Sequence, residues 1–182
     1  MILASNSPRR KEILLKAGYD FKIVPSNYDE KISNLAYNQN LVENCALQKA
    51  LEVQKRLKTS DLIISSDTVV VLNNKILGKP KDEKEAFSML SNLSDNTHFV
   101  ATSICLVKEN KILKDTQKTF VTFRKLEDEE IINYIKTKHP LDKAGSYGIQ
   151  DENFDFNTNL DGELDNVIGF PLKLFKKLLS LI

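Results

Sequence analysis

The chain has few of the residues that carry the more conspicuous chemistries. Among its 182 residues there are two cysteines, two histidines and no tryptophan. Two cysteines exclude a disulfide scaffold. Cys45 and Cys105 each fall inside an apolar pattern, where a free thiol behaves as a small buried hydrophobe. Cys45, His98, Cys105 and His139 lack the spacing of a zinc site, and His139, before Pro140, is expected at the surface. Low-complexity tracts, repeats and linkers are absent. No run of about 18 apolar residues exists, so nothing is expected to span a bilayer. The start, MILASNSPRRK, lacks a basic n-region and a long apolar h-region, so a cytoplasmic protein without a secretion leader is expected. Neither sign of charge dominates. Lys and Arg number 26, Asp and Glu 25, for a net charge of +1. This argues against nucleic acid and membrane surfaces as partners, yet leaves room for a local basic site. The 41% apolar content suits one domain, or two small lobes around one cleft.

What is there reads as alternating strands and helices. Ile2 to Ala4 is a short strand. Ser7 as N-cap, Pro8 at the first helical position and Gly18 beyond the end bracket a helix over 8–17. Phe21 to Val24 is a second strand, and 25–39 a loop. Asn40 with Glu43 suggests the cap of a long helix ending near Leu57. The β-branched runs 62–64 and 69–72 are strands separated by a polar kink, Ser65-Ser66-Asp67-Thr68. Asp82 and Glu85 cap a helix whose Ala86, Met89, Leu90 and Leu93 form one apolar face. Two long strands, about 98–107 and 112–124, meet at a polar turn. Glu127 to Lys138 is helical, acidic first and basic last as the dipole prefers. Residues 151–162 are polar and irregular, Asn166 to Phe170 is a last strand, and Pro171 opens the final helix. Alternation with adjacent hairpins predicts an α/β fold with a mixed sheet.

Four patches could carry chemistry. In Ser5-Asn6-Ser7-Pro8-Arg9-Arg10 a strand runs into a helix N-terminus with two arginines in its first turn. Arginines there oppose the dipole unless an anion meets them. It is no P-loop, since the G-K-[ST] ending is missing. Asp67 interrupts two apolar runs; it could act as a general base or hold Mg²⁺, or belong to an Asx turn. Lys49 shares an apolar helix face with Val42, Cys45, Ala46 and Val53, so it either snorkels or reaches into a site. Lys79, in Gly78-Lys79-Pro80, reads alone as a solvated loop lysine. In Asp142 to Gln150 two glycines let the backbone approach a ligand, and Gln150 offers both a donor and an acceptor to a base. No G-x-S-x-G elbow is present.

Taken in order, LASNSPRR at 3–10, Ser66-Asp67-Thr68, Gly78-Lys79-Pro80, DKAGSYGIQ at 142–150 and NVIGFP at 166–171 resemble the Maf, or septum-formation inhibitor, family of nucleotide pyrophosphatases. The resemblance covers essentially the whole chain, 1–182, as a single Maf-like domain. It implies a two-lobed α/β fold of the inosine-triphosphatase-like kind, with a mixed, strongly curved sheet flanked by helices and a central cleft, often as a homodimer. It implies hydrolysis of a nucleoside triphosphate to a monophosphate and pyrophosphate with a divalent metal, Mg²⁺ or else Mn²⁺. This is nucleotide-pool house-cleaning, with a link to cell-division arrest. Asp67 matches the proton acceptor. Arg9, Thr68 and Gln150 match positions linked to substrate choice. Ser7, Arg10, Lys49 and Lys79 match the phosphate-binding set, and Glu30, with Asp67, the metal end. The YGIQ form resembles the subgroup acting on dTTP and UTP.

There are departures from the family pattern. Ser65 stands where glycine is common, Asp151 where glycine usually follows Gln150, and Leu164 where an aromatic is usual. Residues 152–162 are more polar than in the family. These bear on the rim of the base pocket and leave the phosphate end intact. Two other readings use the same cations: a nucleotide-binding regulator of septum formation with little catalysis, and a nucleotidyltransferase with an acceptor other than water.

Overall fold

In the computed structural model, residues 1–138, 140–152 and 154–182 are described, Asn157 and Thr158 by their backbone alone, so the surface expectation for His139 falls outside them. The strands are β1 (Ile2–Leu3), β2 (Lys22–Ile23), β3 (Ile63–Leu72), β4 (Lys75–Leu77), β5 (Thr97–Lys108), β6 (Lys111–Phe123) and β7 (Asn157–Asp161). The helices are α1 (Pro8–Lys16), α2 (Gln39–Leu57), α3 (Glu83–Leu93), α4 (Asp128–Lys138), α5 (Leu164–Ile168) and α6 (Leu172–Leu179), with 3-10 turns at Pro140–Asp142 and Ala144–Ser146. The strands form a mixed sheet in the order β2-β1-β3-β5-β6-β7, with β4 beside β3. β1 pairs in parallel with β2 and β3; the β3–β5, β5–β6 and β6–β7 pairs are antiparallel.

The caps follow the local chemistry. Ser7 Oγ accepts from the Arg10 amide at 3.5 Å, and Asp82 Oδ1 from the Glu85 amide at 2.8 Å. The α2 cap is two residues earlier than expected, at Asn38 rather than Asn40: Asn38 Oδ1 accepts from Asn40 N at 2.9 Å. Glu43 does not close a capping box. It is drawn sideways to Lys114 at 3.2 Å and to the Thr116 hydroxyl, which donates to it at 3.2 Å.

Two further expectations are corrected. Ser65 to Thr68 is no kink, because β3 runs unbroken from Ile63 to Leu72. Ser65, Ser66, Thr68 and one oxygen of Asp67 find partners, which makes a polar stretch tolerable inside a sheet. Asn166 to Phe170 is no strand; it holds the end of α5, closed by Gly169 at φ 113, a left-handed conformation in which glycine carries no Cβ penalty. The last strand is β7, in the stretch expected to be irregular.

The two-residue period of β3 divides the core. Ile63 packs with Ala46, Ala50 and Val53 of α2. Ile64 faces the other way, onto Leu14 of α1 and Phe175 of α6. Further along, Val70 joins Leu90 of α3, Tyr134 of α4 and Phe123. Each fully buried Val, Leu, Ile or Phe among them contributes about 1.5–3 kcal/mol.

Candidate active site

The pairing registers leave a notch in the sheet. On one edge of β3, β1 covers Ile63 and Ile64, and β4 covers Val70 to Leu72. Neither strand covers Ser65 to Val69. A cavity of about 480 Å³ opens there, within the usual size for a small-molecule site. Every residue singled out in the sequence lines it: Ser7, Arg9, Arg10, Glu30, Lys49, Asp67, Thr68, Lys79 and Gln150. The chain brings them from α1, the 24–38 loop, α2, β3, the turn after β4 and the loop after α4.

At the floor, Asp67 is 2% exposed and Lys49 7%. Lys49 reaches across from α2 and its Nζ lies 2.6 Å from Asp67 Oδ1. It also donates to Ser66 O at 3.3 Å and contacts Glu30 Oε1. One ammonium thus sits between two carboxylates. Asp67 Oδ2 is buried with no hydrogen-bond partner among the described residues.

The two carboxyls are pushed apart electrostatically. Burial raises that of Asp67, with Lys49 pulling it back and Glu30 adding to the rise. For Glu30 burial acts in the same direction, but the charge and hydrogen bond of Lys49, aided by Lys79 and Arg10, hold its carboxyl below the ordinary value.

A second wall is built around Arg10. Its Nε donates to Gly169 O at 3.1 Å, Nη1 to Ser5 Oγ at 3.2 Å and Nη2 to Thr68 Oγ1 at 3.3 Å. All three acceptors are neutral. Burial lowers the guanidinium pKa, and Asp67 and Glu30 raise it. Arg9 reaches Asp142 at 3.5 Å, while Lys79 is exposed at the rim and makes no ion pair among the described residues. The cavity lining carries five cationic side chains against three carboxylates, so an anion entering it is favoured.

Some contributors were not visible in the sequence. Thr102 shares a hydrogen bond of 3.0 Å with Thr68 and donates to Asn166 O at 2.9 Å. The Asn166 amide, fully buried, donates to Val100 O and Thr119 Oγ1, each at 3.0 Å. This chain fixes Thr68 and, through α5, the Gly169 carbonyl that holds Arg10. The one signal in the sequence is an asparagine inside an apolar stretch. Tyr28, Lys143 and Tyr147 also line the cavity. Tyr147 is anchored from behind by His98, Nε2 to hydroxyl 2.8 Å.

A mixed sheet whose notch gathers cations around a buried carboxylate defines an α/β protein with a site for a polyanionic ligand. The comparisons give the family. A model described as "Maf-like protein" matches residues 1–182, and the chain belongs to the Maf family. A protein of Clostridium perfringens (strain SM101 / Type A) named dTTP/UTP pyrophosphatase is 45% identical over 182 residues, 98% of this chain and 95% of that protein. One of Thermoanaerobacter sp. (strain X514) with the same name is 44% identical over 178 residues, 96% and 93% of the two chains. Among solved structures, a HAM1 protein from Coxiella burnetii superposes with a TM-score of 0.55 at 14% identity, covering 100% of this chain and 98% of that one. A nucleoside-triphosphatase / dITP/XTP pyrophosphatase from Mycobacterium abscessus gives 0.50 at 16% identity over 99% and 94%. These two share the fold. No helix among the described residues is long and apolar enough to cross a membrane.

Proposed function

We propose that the chain is a nucleoside triphosphate pyrophosphatase that hydrolyses dTTP and UTP to the monophosphate and pyrophosphate. The names of its full-length relatives support the reaction and substrates. The observation that carries the reading here is Asp67: buried, tied through one oxygen to Lys49, its other oxygen without a hydrogen-bond partner among the described residues, on the lining of a cavity that gathers cations.

In this reading the triphosphate lies along Arg9, Arg10, Lys79 and Ser7. Asp67 accepts a proton from water as the water oxygen bonds to the α-phosphorus. The bond from that phosphorus to the bridging oxygen breaks, and pyrophosphate leaves with the electron pair. Lys49 holds Asp67 in place and adds positive charge where negative charge develops; preorganised charge of this kind is a large catalytic effect. The side-chain amide of Gln150 donates to a ring carbonyl of uracil or thymine and accepts from N3–H.

The donors present also fit a divalent cation. Asp67 Oδ2 is unpartnered among the described residues, Glu30 stands across Lys49 from it, and the position between them already holds a positive charge. Mg²⁺ typically uses only one or two carboxylates and takes its remaining ligands from phosphate and water. Asp67 and Glu30 would hold it; when bound it neutralises phosphate charge and polarises the phosphoryl group.

The test is a panel of nucleoside triphosphates, with and without Mg²⁺ or Mn²⁺, with the products separated. Monophosphate plus pyrophosphate from dTTP and UTP, without any acceptor but water, is expected. Tight binding without turnover overturns the enzyme in favour of a nucleotide-binding regulator, and a requirement for an acceptor indicates a transferase.

A further inference from the structure

Gln150 sits on a turn that side chains fasten to the rest of the fold. The Asp151 amide donates to Gly148 O at 3.0 Å, which makes Gln150 the third residue of a four-residue turn. Both ends of that turn meet one hydroxyl. Tyr134 of α4 donates to Asp151 Oδ2 at 2.5 Å and accepts from the Gly148 amide at 2.9 Å. The same carboxylate oxygen takes Lys143 Nζ at 2.5 Å, an ion pair whose side chains are 10% and 13% exposed. Lys143 in turn donates to Lys138 O, the last residue of α4, at 3.2 Å. The 143–151 loop is thereby closed into a ring and fastened to a helix. Tyr134 is fully buried and its ring is gripped by Phe154 and Phe156, so the anchor is rigid. Gly148 is shaped to this carboxylate: a Cβ there would come within 2.8 Å of Asp151 Oδ1.

The arrangement is more than a solvated loop needs. A buried ion pair costs desolvation and is tolerated only with good geometry and further hydrogen bonds. Its parts converge on the one turn that presents an exposed Gln150 to the cavity, with Lys143, Tyr147 and Gly148 also on the lining.

We infer that Asp151, clasped by Tyr134 and Lys143, is a positioning residue for base selection: it holds the turn that aims Gln150 at the pyrimidine. The inference rests on the reading of Gln150 as the base contact. Losing the clasp lets the turn sample other orientations, which lowers the fraction of molecules competent to bind the base and raises KM while leaving the phosphate chemistry in place.

The experiment is steady-state kinetics with dTTP, UTP and ATP on Asp151→Asn, Tyr134→Phe and Gln150→Ala, with thermal melts alongside. In Asp151→Asn and Tyr134→Phe, KM for dTTP and UTP is expected to rise about tenfold, the scale of one buried charged hydrogen bond, and the preference over ATP to shrink. The kcat is expected to stay within about twofold. Should Asp151→Asn fail to fold, Tyr134→Phe decides, since it keeps the ring packing and removes only the hydroxyl. Unchanged KM and preference in folded variants, with Gln150→Ala altering preference, overturns the clasp and spares the Gln150 reading. Unaltered preference in Gln150→Ala overturns both.

Discussion

The two ends of the cavity are built by different means. At the end proposed above for the phosphates, four of the groups are mounted on regular elements, Asp67 and Thr68 on a ten-residue strand, Lys49 in the middle of a nineteen-residue helix and Arg10 in the first turn of α1, while Glu30 and Lys79 come from a loop and a turn. The positions of those four follow from backbone hydrogen bonds and core packing, and their mutual contacts are added on top. At the base end Gln150 rests on a loop with two 3-10 turns, and side-chain bonds replace the missing backbone ladder. The phosphate end is therefore hard to displace and costly to alter chemically. The base end can be retuned by single substitutions without touching the core.

The sharpest way to break this contrast is at Asp67. Asp67→Asn keeps the shape and removes the base, and turnover should fall by about 10²–10⁴-fold, the usual share of general-base help, with the melt showing a folded protein. Near-normal production of pyrophosphate by a folded variant refutes the assignment. Next in size is Lys49→Met, which leaves Asp67 and Glu30 without the ammonium between them. A loss of about 10²–10³ in kcat is expected from removing one preorganised charge, measured with saturating dTTP.

The same pair of carboxyls has a signature in pH. Burial first of all raises Asp67 above its ordinary value of 3.8, and a base works only when unprotonated. Activity should therefore rise with pH through a midpoint above that of a free carboxylate, and this acid limb should vanish from the residual activity of Asp67→Asn. In stability the sign is opposite. A raised folded-state pKa favours the fold below the unfolded value, and the contribution disappears as pH climbs through the folded one.

His98 tests the base end by pH. Burial lowers it from 6.5 to about 4. The unfolded chain binds its proton more readily, so the native state should lose about 3 kcal/mol as pH falls from 6.5 towards 4. Melting temperatures across that range check it, and a flat profile contradicts it. The smallest effect is expected at Gln150: Gln150→Ala should cost about 1–3 kcal/mol in binding a pyrimidine that would leave its N3–H unpaired and change turnover little. The observable is relative kcat/KM for dTTP and ATP.

The phosphate end was also the more legible in the sequence. Asp67 stood out because a carboxylate inside β-branched runs needs a partner, and Lys49 because a cation interrupts an apolar helical stripe. Periodicity placed Lys49 on its helix, but the polar stretch around Asp67 imitated a break between two strands that pairing with β5 abolishes. What could not be read was mutual position. Nothing local in Asp151 announces Tyr134, seventeen residues earlier, and nothing in Asn166 announces Val100. Both are long-range satisfactions of buried polar groups. The α5 segment was misjudged for a related reason: a short apolar run fits strand and helix equally well until the Gly169 cap is seen.

The notch between β1 and β4 has a consequence for the protein as a colloid. An open strand edge is a template on which a stranger's backbone can polymerise, and proteins commonly guard such edges with inward-pointing charge. Here the bare stretch of β3 carries Asp67 itself, tied to Lys49 at 2.6 Å, and an intruding strand would have to break into that buried ion pair. The groups suited to handling a triphosphate thus also discourage fibril growth from the mouth that admits it.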